Sequence, residues 1–236
     1  MEDNIDEAIL NNIQGTKITV QLAKQFGVNK FILVSTDKVV NPTSIMGMTK
    51  YVAEKYVQYS SKNQSNTQFI SVRFGNVLGT NGSVIPLFLK QIKDGGPITI
   101  TDPHMERYFM LISEASQLIL QAAVLGNGGE VFVLEMGKPV KIMDLAKKMI
   151  SLSGYTIEKD IKLQITGIRK GEKLSEELFG HDEKCSASSH QKINILKTKT
   201  TNNSKFLEEI DTLIQMTQHS TQEEMKLKLT TLVSTM

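Results

Sequence analysis

The chain has 236 residues, with 40% hydrophobic and 22% charged side chains and a formal net charge of +2, a composition that excludes disordered and collagen-like proteins. It contains no dense run of Lys and Arg, so we expect no nucleic-acid partner. Cys185 is the single cysteine, which excludes an internal disulfide and favours a reducing compartment. The N-terminal segment MEDNIDEAIL lacks the basic and apolar parts of a signal peptide, and no apolar run approaches the roughly 20 residues of a membrane span. We therefore expect a cytoplasmic protein with no membrane segment.

Helical and extended patterns alternate from the N-terminus onward. Apolar residues recur at helical spacing over 5–26, and Gly27 predicts the end of that helix. Residues 30–35 (KFILVS) form a short apolar run, as is required of a strand that is buried on both faces of a parallel sheet. The predicted elements that follow are a helix over 44–61, a strand over 68–74, a helix over 84–93, a strand over 98–101, a helix over 113–125, a strand over 130–135, a helix over 142–152 and a strand over 161–166. This alternation indicates an α/β fold with a mainly parallel sheet.

The character of the sequence changes after about residue 180. Residues 184–203 are rich in Ser, Thr, Lys and Asn and show little periodicity, so we predict no regular element there. Two further helices are predicted over 205–217 and 221–234. No metal-ligand spacing links the four histidines, and we expect no metal site; they are His104, His181, His190 and His219.

The segment 35–50, STDKVVNPTSIMGMTK, begins where the first predicted strand ends. In open α/β sheets, ligands bind in the crevice outside the carboxyl ends of the strands, so we expect this segment to carry chemistry. Asp37 and Lys38 pair a carboxylate with an amine, and such neighbours can divide acid and base work because a shared environment tunes each pKa. Met46 and Lys50 are four residues apart, which places both on one face of a helix.

This segment closely resembles that of the UDP-N-acetylglucosamine 4,6-dehydratases. These are NAD-dependent lyases of the extended short-chain dehydrogenase/reductase class that serve capsule and other surface-polysaccharide synthesis. In short-chain dehydrogenases a Tyr-x-x-x-Lys pair lies on the helix after such a strand; the Lys binds the nicotinamide ribose and the Tyr handles the hydroxyl proton. Here Lys50 matches the Lys, whereas Met46 stands at the Tyr position, as in the large branch that retains the configuration at carbon 5. The resemblance implies NAD as cofactor and a UDP-sugar as substrate.

Further segments match the same family in the same order. They are 72–77 (VRFGNV), 81–86 (NGSVIP), 97–103 (PITITDP), 107–110 (RYFM), 169–174 (RKGEKL) and 176–178 (EEL). The resemblance covers roughly residues 1–196 and implies cofactor contacts from Ser35, Lys50 and Arg73. The residues that it implies for substrate binding are Asn76, Arg107, Arg169 and Glu172. Arginine suits a diphosphate because its planar fork binds phosphate oxygens bidentately.

The resemblance also implies a reaction. NAD takes a hydride from carbon 4 of the sugar, a proton leaves carbon 5, water is lost from carbon 6, and the hydride returns to carbon 6. Asp37 is then the acid for the departing hydroxyl, Lys38 is the base at carbon 5, and Thr36 hydrogen-bonds the reacting sugar hydroxyl. Because Met46 cannot exchange a proton, the carbon-4 hydroxyl needs another route, for which Asp37 is the candidate.

The implied fold is the C-terminal part of a Rossmann-type parallel sheet with a smaller mixed α/β substrate-binding region. We expect residues 1–80 to be the second half of the NAD-binding Rossmann domain. Residues 81–183 are expected to form the substrate region, interleaved with the sheet, and residues 184–236 a divergent polar and helical tail.

The glycine-rich turn G-x-G-x-x-G, which holds the pyrophosphate of NAD at a helix N-terminus, does not occur in this sequence. In relatives it lies about 100 residues upstream of STDK, three or four βαβ units away. We therefore expect a fragment or half of a split gene that is inactive alone and works as a homo-oligomer or with a missing N-terminal half. One alternative is a related epimerase, which predicts Tyr at position 46 and does not need the Asp37–Lys38 pair. The other is a non-catalytic remnant.

Overall fold

The computed structural model of the chain describes residues 1–62, 66–80, 82–180, 183–197 and 204–236. Two residues named above, Asn81 and His181, lie outside these ranges. The α-helices are α1 (Ile5–Ala8), α2 (Gly15–Gln25), α3 (Ile45–Lys62), α4 (Val84–Lys93), α5 (Ile112–Leu125), α6 (Ile142–Leu152), α7 (Ser204–Met216) and α8 (Gln222–Ser234). The strands are β1 (Lys30–Val34), β2 (Gln68–Arg73), β3 (Asn76–Val77), β4 (Ile98–Ile100), β5 (Glu106–Arg107), β6 (Phe109–Met110), β7 (Val131–Leu134), β8 (Val140–Lys141), β9 (Leu163–Ile165), β10 (Lys184–Ala187) and β11 (Ile193–Lys197).

The chain divides into two compact units, each built from separate stretches of sequence. Unit 1 consists of residues 1–74, 118–135 and 177–236. Unit 2 consists of residues 75–117 and 136–176. No helix in the described ranges is long and apolar enough to cross a membrane.

Unit 1 contains a five-stranded sheet in the order β1-β2-β7-β11-β10. The first three strands are parallel, and the last two are antiparallel to their neighbours. β2 and β7 are the apolar central strands of this parallel part and are almost entirely buried, as strands covered on both faces must be. The predicted α/β fold with parallel strands is therefore confirmed. Among the described residues β1 pairs only with β2, so its other edge is open.

A layer of helices packs into one apolar core of unit 1. The helix predicted over 5–26 is present as α1 and α2 joined by a π-helical segment, Ile9–Gln14, and Gly27 follows with a φ of 62° that favours glycine. The buried members of this core include Ile9, Val20, Ile45, Val52, Val57, Phe206, Ile210, Leu213, Met225, Leu229 and Leu232. α7 and α8 confirm the two helices predicted near the C-terminus, and both contribute to this core.

The prediction that residues 184–203 contain no regular element was wrong for the part that the structure describes. Residues 184–187 and 193–197 form the antiparallel pair β10–β11, and β11 also pairs with β7. Ile193 and Leu196 are buried against the sheet, whereas the strand's other side chains are polar or partly exposed. A short strand that buries only two apolar side chains gives a weak periodic signal, which explains the miss.

The described residues of unit 2 form three small two-stranded sheets. β3 pairs with β6 and β4 pairs with β9 in parallel, and β5 pairs with β8 antiparallel. The strands predicted over 98–101 and 161–166 are thus partners of each other. Helices α4 and α6 share an apolar core with them, which includes Phe88, Ile92, Ile98, Ile100, Met105, Ile142, Ala146 and Ile150.

Candidate functional site

The predicted acid and base groups lie at the carboxyl end of β1. Thr36 is the N-cap of a single 3-10 turn, Asp37–Val39, and its hydroxyl oxygen accepts a bond from the backbone N–H of Lys38. The backbone N–H of Asp37 donates to the carbonyl oxygen of Phe74 at 3.1 Å, just beyond the end of β2. The chain therefore turns sharply as it leaves the sheet, and three consecutive polar side chains are held at the strand end.

Asp37 is the enclosed member of this group. Its carboxyl oxygen Oδ1 accepts from the hydroxyl of Thr36 at 2.9 Å and from Nζ of Lys38 at 2.8 Å. The Asp37 side chain is 0% exposed and that of Lys38 is 23% exposed. The second oxygen, Oδ2, has no hydrogen-bond partner among the described residues. A buried carboxyl oxygen without a donor is costly, so Asp37 holds an unmatched acceptor at this strand end.

Helix α3 brings Lys50 to the same strand end, and Met46 lies half-buried one turn earlier on this helix. Nζ of Lys50 donates to the backbone carbonyl oxygen of Val34 at 2.8 Å. Burial lowers the pKa of the Lys50 amine, and the nearby carboxylate of Glu54 opposes that shift. Position 47 in the motif has to be glycine, because a Cβ atom there would overlap the backbone carbonyl of Lys38. The helix can therefore approach the Asp37–Lys38 turn closely only with glycine here.

Behind the strand end lies a buried network of charges. Nε of Arg73 donates to the carboxylate of Glu54 at 2.9 Å, and Nη1 and Nη2 donate to Glu183 at 2.8 and 2.9 Å. The hydroxyl of Ser35 donates to the same Glu54 carboxylate at 2.8 Å. Burial alone would lower the pKa of Arg73, but the two carboxylates raise it above its ordinary value. Burial likewise opposes ionisation of Glu183, yet the bonds from Arg73 hold the pKa of this carboxyl below its ordinary value.

This network changes the interpretation of two predicted cofactor residues. Arg73 is 0% exposed, and all three of its side-chain nitrogens donate to carboxylates. Ser35 is also buried and its hydroxyl is used by Glu54. As placed, Arg73 holds unit 1 together and is not accessible to a cofactor. Glu54 and Glu183 were not predicted as site residues. The local signal in the sequence was the position of Glu54, one helical turn after Lys50.

Unit 2 contains a cavity of about 420 Å³. All four residues predicted to bind the substrate line it, and they are Asn76, Arg107, Arg169 and Glu172. The remaining lining is mixed and includes Thr80, Ser83, Thr99 and Thr101 as well as Leu87, Phe88, Met105 and Phe109. A concave site with apolar walls and a few charged groups is typical of a small-molecule pocket.

Arg107 is held firmly in the wall of this cavity. Nη1 donates to the backbone carbonyl oxygens of Glu106 at 2.7 Å and Leu174 at 3.1 Å. Nη2 lies 3.5 Å from Glu172, and Nε lies 4.0 Å from Glu176. The guanidinium is therefore oriented by short bonds to the backbone, and its contacts with carboxylates are long.

Comparison with known proteins identifies the family. Residues 1–198 match the family described as polysaccharide biosynthesis protein. The chain is 58% identical over 183 residues to the capsular polysaccharide biosynthesis protein CapD of Staphylococcus aureus, covering 78% of this chain and 30% of that protein. It is 52% identical over 197 residues to the probable polysaccharide biosynthesis protein EpsC of Bacillus subtilis, covering 84% and 33%. A UDP-glucose 4-epimerase of Rickettsia rickettsii is 36% identical over 184 residues, covering 77% and 52%. The chain thus spans about a third of the length of the first two relatives.

Solved structures share the fold. The X-ray structure of Pen from Bacillus thuringiensis superposes with a TM-score of 0.73 at 33% identity, over 86% of this chain and 67% of that one. A dTDP-glucose 4,6-dehydratase from Bacillus anthracis, solved in complex with NAD, superposes with a TM-score of 0.61 at 22% identity, over 69% and 58%. At that identity the second likeness shows the fold alone. From the family match and the capsular relatives, this chain belongs to the polysaccharide biosynthesis protein family.

Proposed function

We propose that the chain carries the proton-transfer and substrate-binding residues of an NAD-dependent dehydratase that converts UDP-N-acetylglucosamine to a UDP-4-keto-6-deoxy sugar for surface polysaccharide. The observation that carries this proposal is the Thr36–Asp37–Lys38 group at the carboxyl end of β1. One Asp37 oxygen accepts from both Thr36 and Lys38, and the other has no partner in the part of the chain that the structure describes. Elimination of water needs a proton donor and a proton acceptor at neighbouring atoms, and this group supplies both.

The geometry assigns different places to the members of this group. Lys38 is the partly exposed amine, so it is the base that takes the proton from carbon 5 and returns it there after water has left carbon 6. Asp37 is enclosed, so it passes its proton to the departing hydroxyl through the hydroxyl of Thr36, which lies 2.9 Å from Oδ1. Asp37 first takes this proton from the carbon-4 hydroxyl through Thr36, because Met46 has no proton to exchange, so the proton gained at carbon 4 is the one given up at carbon 6.

The residues of unit 1 fit one end of NAD. The Lys50 amine donates to the carbonyl oxygen of Val34 at the end of β1. At this place it is suited to bind the nicotinamide ribose. When bound there, NAD would supply the hydride chemistry at carbons 4 and 6 of the sugar. The glycine-rich turn for the pyrophosphate is absent from this sequence, so that part of the cofactor has to be held by residues outside it. Relatives three times as long leave room for such residues.

The cavity of unit 2 fits the UDP part of the substrate. Its apolar lining from Phe88, Met105 and Phe109 suits a base and ribose, and its charged groups from Arg107 and Arg169 suit a diphosphate. This assignment keeps Asn76 and both arginines as substrate-binding residues.

A related epimerase is the second candidate, because a 4-epimerase is among the relatives at 36% identity. Met46 at the position of the proton-exchanging Tyr disfavours it. A third candidate, a non-catalytic remnant or a split-gene subunit that needs a partner chain, is consistent with the missing glycine turn.

The test uses an enzyme restored by joining the upstream part of the Staphylococcus aureus relative to this chain. Asp37→Asn and Lys38→Ala should each lower the turnover of UDP-N-acetylglucosamine by about a hundred- to ten-thousand-fold while NAD stays bound. The matched controls are Asp94→Asn and Lys93→Ala, an exposed neighbouring pair that does not line the unit 2 cavity. Turnover of the Asp37 and Lys38 variants within threefold of the restored parent contradicts the assignment.

Met46 carries a second prediction for the same enzyme. A Met in place of Tyr marks the branch that retains the configuration at carbon 5, so the product should keep that configuration. Proton NMR of the product distinguishes the two epimers. A product inverted at carbon 5 would show that Met46 does not mark the branch.

A further inference from the structure

The carboxylate of Glu172 accepts from the hydrogen-bond donors that an anionic ligand of the unit 2 cavity needs. Its Oε1 lies 3.5 Å from Nη2 of Arg107, and its Oε2 accepts from the backbone N–H of Arg169 at 3.3 Å. Both donors belong to residues that line the cavity. One carboxylate therefore bridges a guanidinium and a backbone amide on the cavity wall.

The bridge closes a short turn. The backbone N–H of Glu172 donates to the carbonyl oxygen of Arg169 at 3.1 Å, so residues 169–172 are joined by a backbone bond as well as by the side chain. The two side-chain contacts lie at the long end of hydrogen-bond distances, where bonds are weak and readily exchanged. The carboxylate is also one-quarter exposed, so water can take over its solvation if it leaves.

Arg107 does not need Glu172 to keep its orientation. Its Nη1 is fixed by the two backbone carbonyl oxygens at 2.7 and 3.1 Å, and neither of these bonds involves the carboxylate of Glu172. Glu176 adds a second carboxylate 4.0 Å from Nε. The guanidinium therefore faces two negative charges, and an incoming phosphate meets repulsion from both.

We propose that Glu172 is a displaceable latch, which holds the place of a phosphate group on Arg107 and the Arg169 amide until a nucleotide diphosphate takes it. Carboxylate and phosphate oxygens accept from a guanidinium in the same geometry, so one can replace the other. Glu172 then competes with the ligand instead of binding it, and the turn at 169–172 opens when the ligand enters. This inference rests on the proposed binding of UDP in the unit 2 cavity.

The experiment measures the dissociation constant of UDP for the 236-residue chain by calorimetry. Glu172→Gln should bind UDP roughly five-fold more tightly than the parent chain, the scale of one partly exposed ion pair. The matched control is Glu106→Gln, which removes the same charge from the residue next to Arg107. Glu106 does not line the cavity, and successive side chains of a strand point to opposite faces. The control should stay within roughly twofold of the parent.

Hydrogen exchange gives a second measurement. Added UDP should slow the exchange of the Arg169 amide more in Glu172→Gln than in the parent chain, because in the parent the phosphate only replaces a carboxylate that already protects this amide. In Glu172→Gln that amide should exchange faster before any UDP is added.

The outcomes separate the two proposals. Weaker UDP binding by Glu172→Gln shows that Glu172 orients the site and overturns the latch. Equal binding by parent and variant also overturns the latch but leaves the UDP site standing. Absence of UDP binding by the parent and by every variant overturns both the latch and the proposed site in unit 2.

Discussion

Each unit contains one buried arginine, and the two arginines differ in the partners that they bond. Arg73 in unit 1 has its three nitrogens bonded to two carboxylates at 2.6 to 3.1 Å, and its side chain is 1% exposed. Arg107 in unit 2 has short bonds only to backbone carbonyls, long contacts to carboxylates, and a place on a cavity wall. An arginine whose three nitrogens all donate to carboxylates at short distance is part of the folded core. An arginine on a cavity wall that makes only long contacts through some of its nitrogens can still bind a ligand.

The contrast also separates the acidic residues. Glu54 and Glu183 are fixed by charge-assisted bonds from Arg73, and the same Glu54 ties Ser35 at the end of β1 to helix α3. Glu172 has only long contacts and is one-quarter exposed. The first pair is therefore part of the folded core of unit 1, and Glu172 is free to exchange its partners for a ligand.

Replacement of each arginine gives the largest effect that the contrast predicts. Arg73→Met leaves the buried carboxylate of Glu54 and the partly buried carboxylate of Glu183 without this partner and should lower the free energy of unfolding by about 3–5 kcal/mol. Arg107→Met should cost less, roughly 1–2 kcal/mol, because the partly exposed Glu172 can be rehydrated. Urea unfolding followed by circular dichroism measures both. Equal losses of stability would remove the distinction between the two regions.

The sequence predicted the regular elements well where the periodicity was strong. The helices over 84–93 and 142–152 were predicted to the residue, because each has a clear apolar face against one core. The strand at 193–197 was missed because it buries only Ile193 and Leu196, whereas its other three side chains are partly or fully exposed. Partial burial weakens the pattern that sequence interpretation depends on.

The candidate site was predicted less evenly. The segment 35–38 and the residues of the unit 2 cavity were found by resemblance, and the structure places each group together. Resemblance treated Arg73 and Arg107 alike, because both stand in matched motifs. What separates them is their partners: Glu183 is 110 residues from Arg73, and no local pattern brings the two together.

Ligand binding sharpens the contrast between the two units. The unit 2 cavity lies within one unit and should bind UDP, whereas the chain lacks the glycine turn for the pyrophosphate of NAD. Calorimetry on the monomer should therefore give a measurable dissociation constant for UDP and, for NAD, a dissociation constant above about 1 mM. Arg107→Gln, which removes the charge at the cavity, is the control that should abolish the UDP signal. A micromolar constant for NAD would show that this sequence holds the whole cofactor.

The open edge of β1 bears on the same experiment. An edge strand with an apolar sequence invites pairing with another chain, so the chain is expected to self-associate unless a further segment or a partner covers that edge. The calorimetry is therefore made on the monomer fraction after size-exclusion chromatography.

The smallest expected effect is the pH dependence of the unit 1 network. Arg73 holds the pKa of Glu183 below its ordinary value of 4.5, although burial acts in the opposite direction. A carboxyl whose pKa is lower in the folded state contributes stability that is present above its unfolded pKa and is lost as the pH falls toward its folded pKa. The melting temperature of the parent chain should therefore fall more steeply below about pH 4.5 than that of Glu183→Gln, which has no proton to gain. Thermal unfolding at pH 7, 5, 4 and 3 measures the two curves.

Because Glu172→Gln changes only a partly exposed ion pair, its curve should follow that of the parent. Parallel curves for the parent and Glu183→Gln would mean that the Arg73 network contributes no pH-dependent stability to the fold.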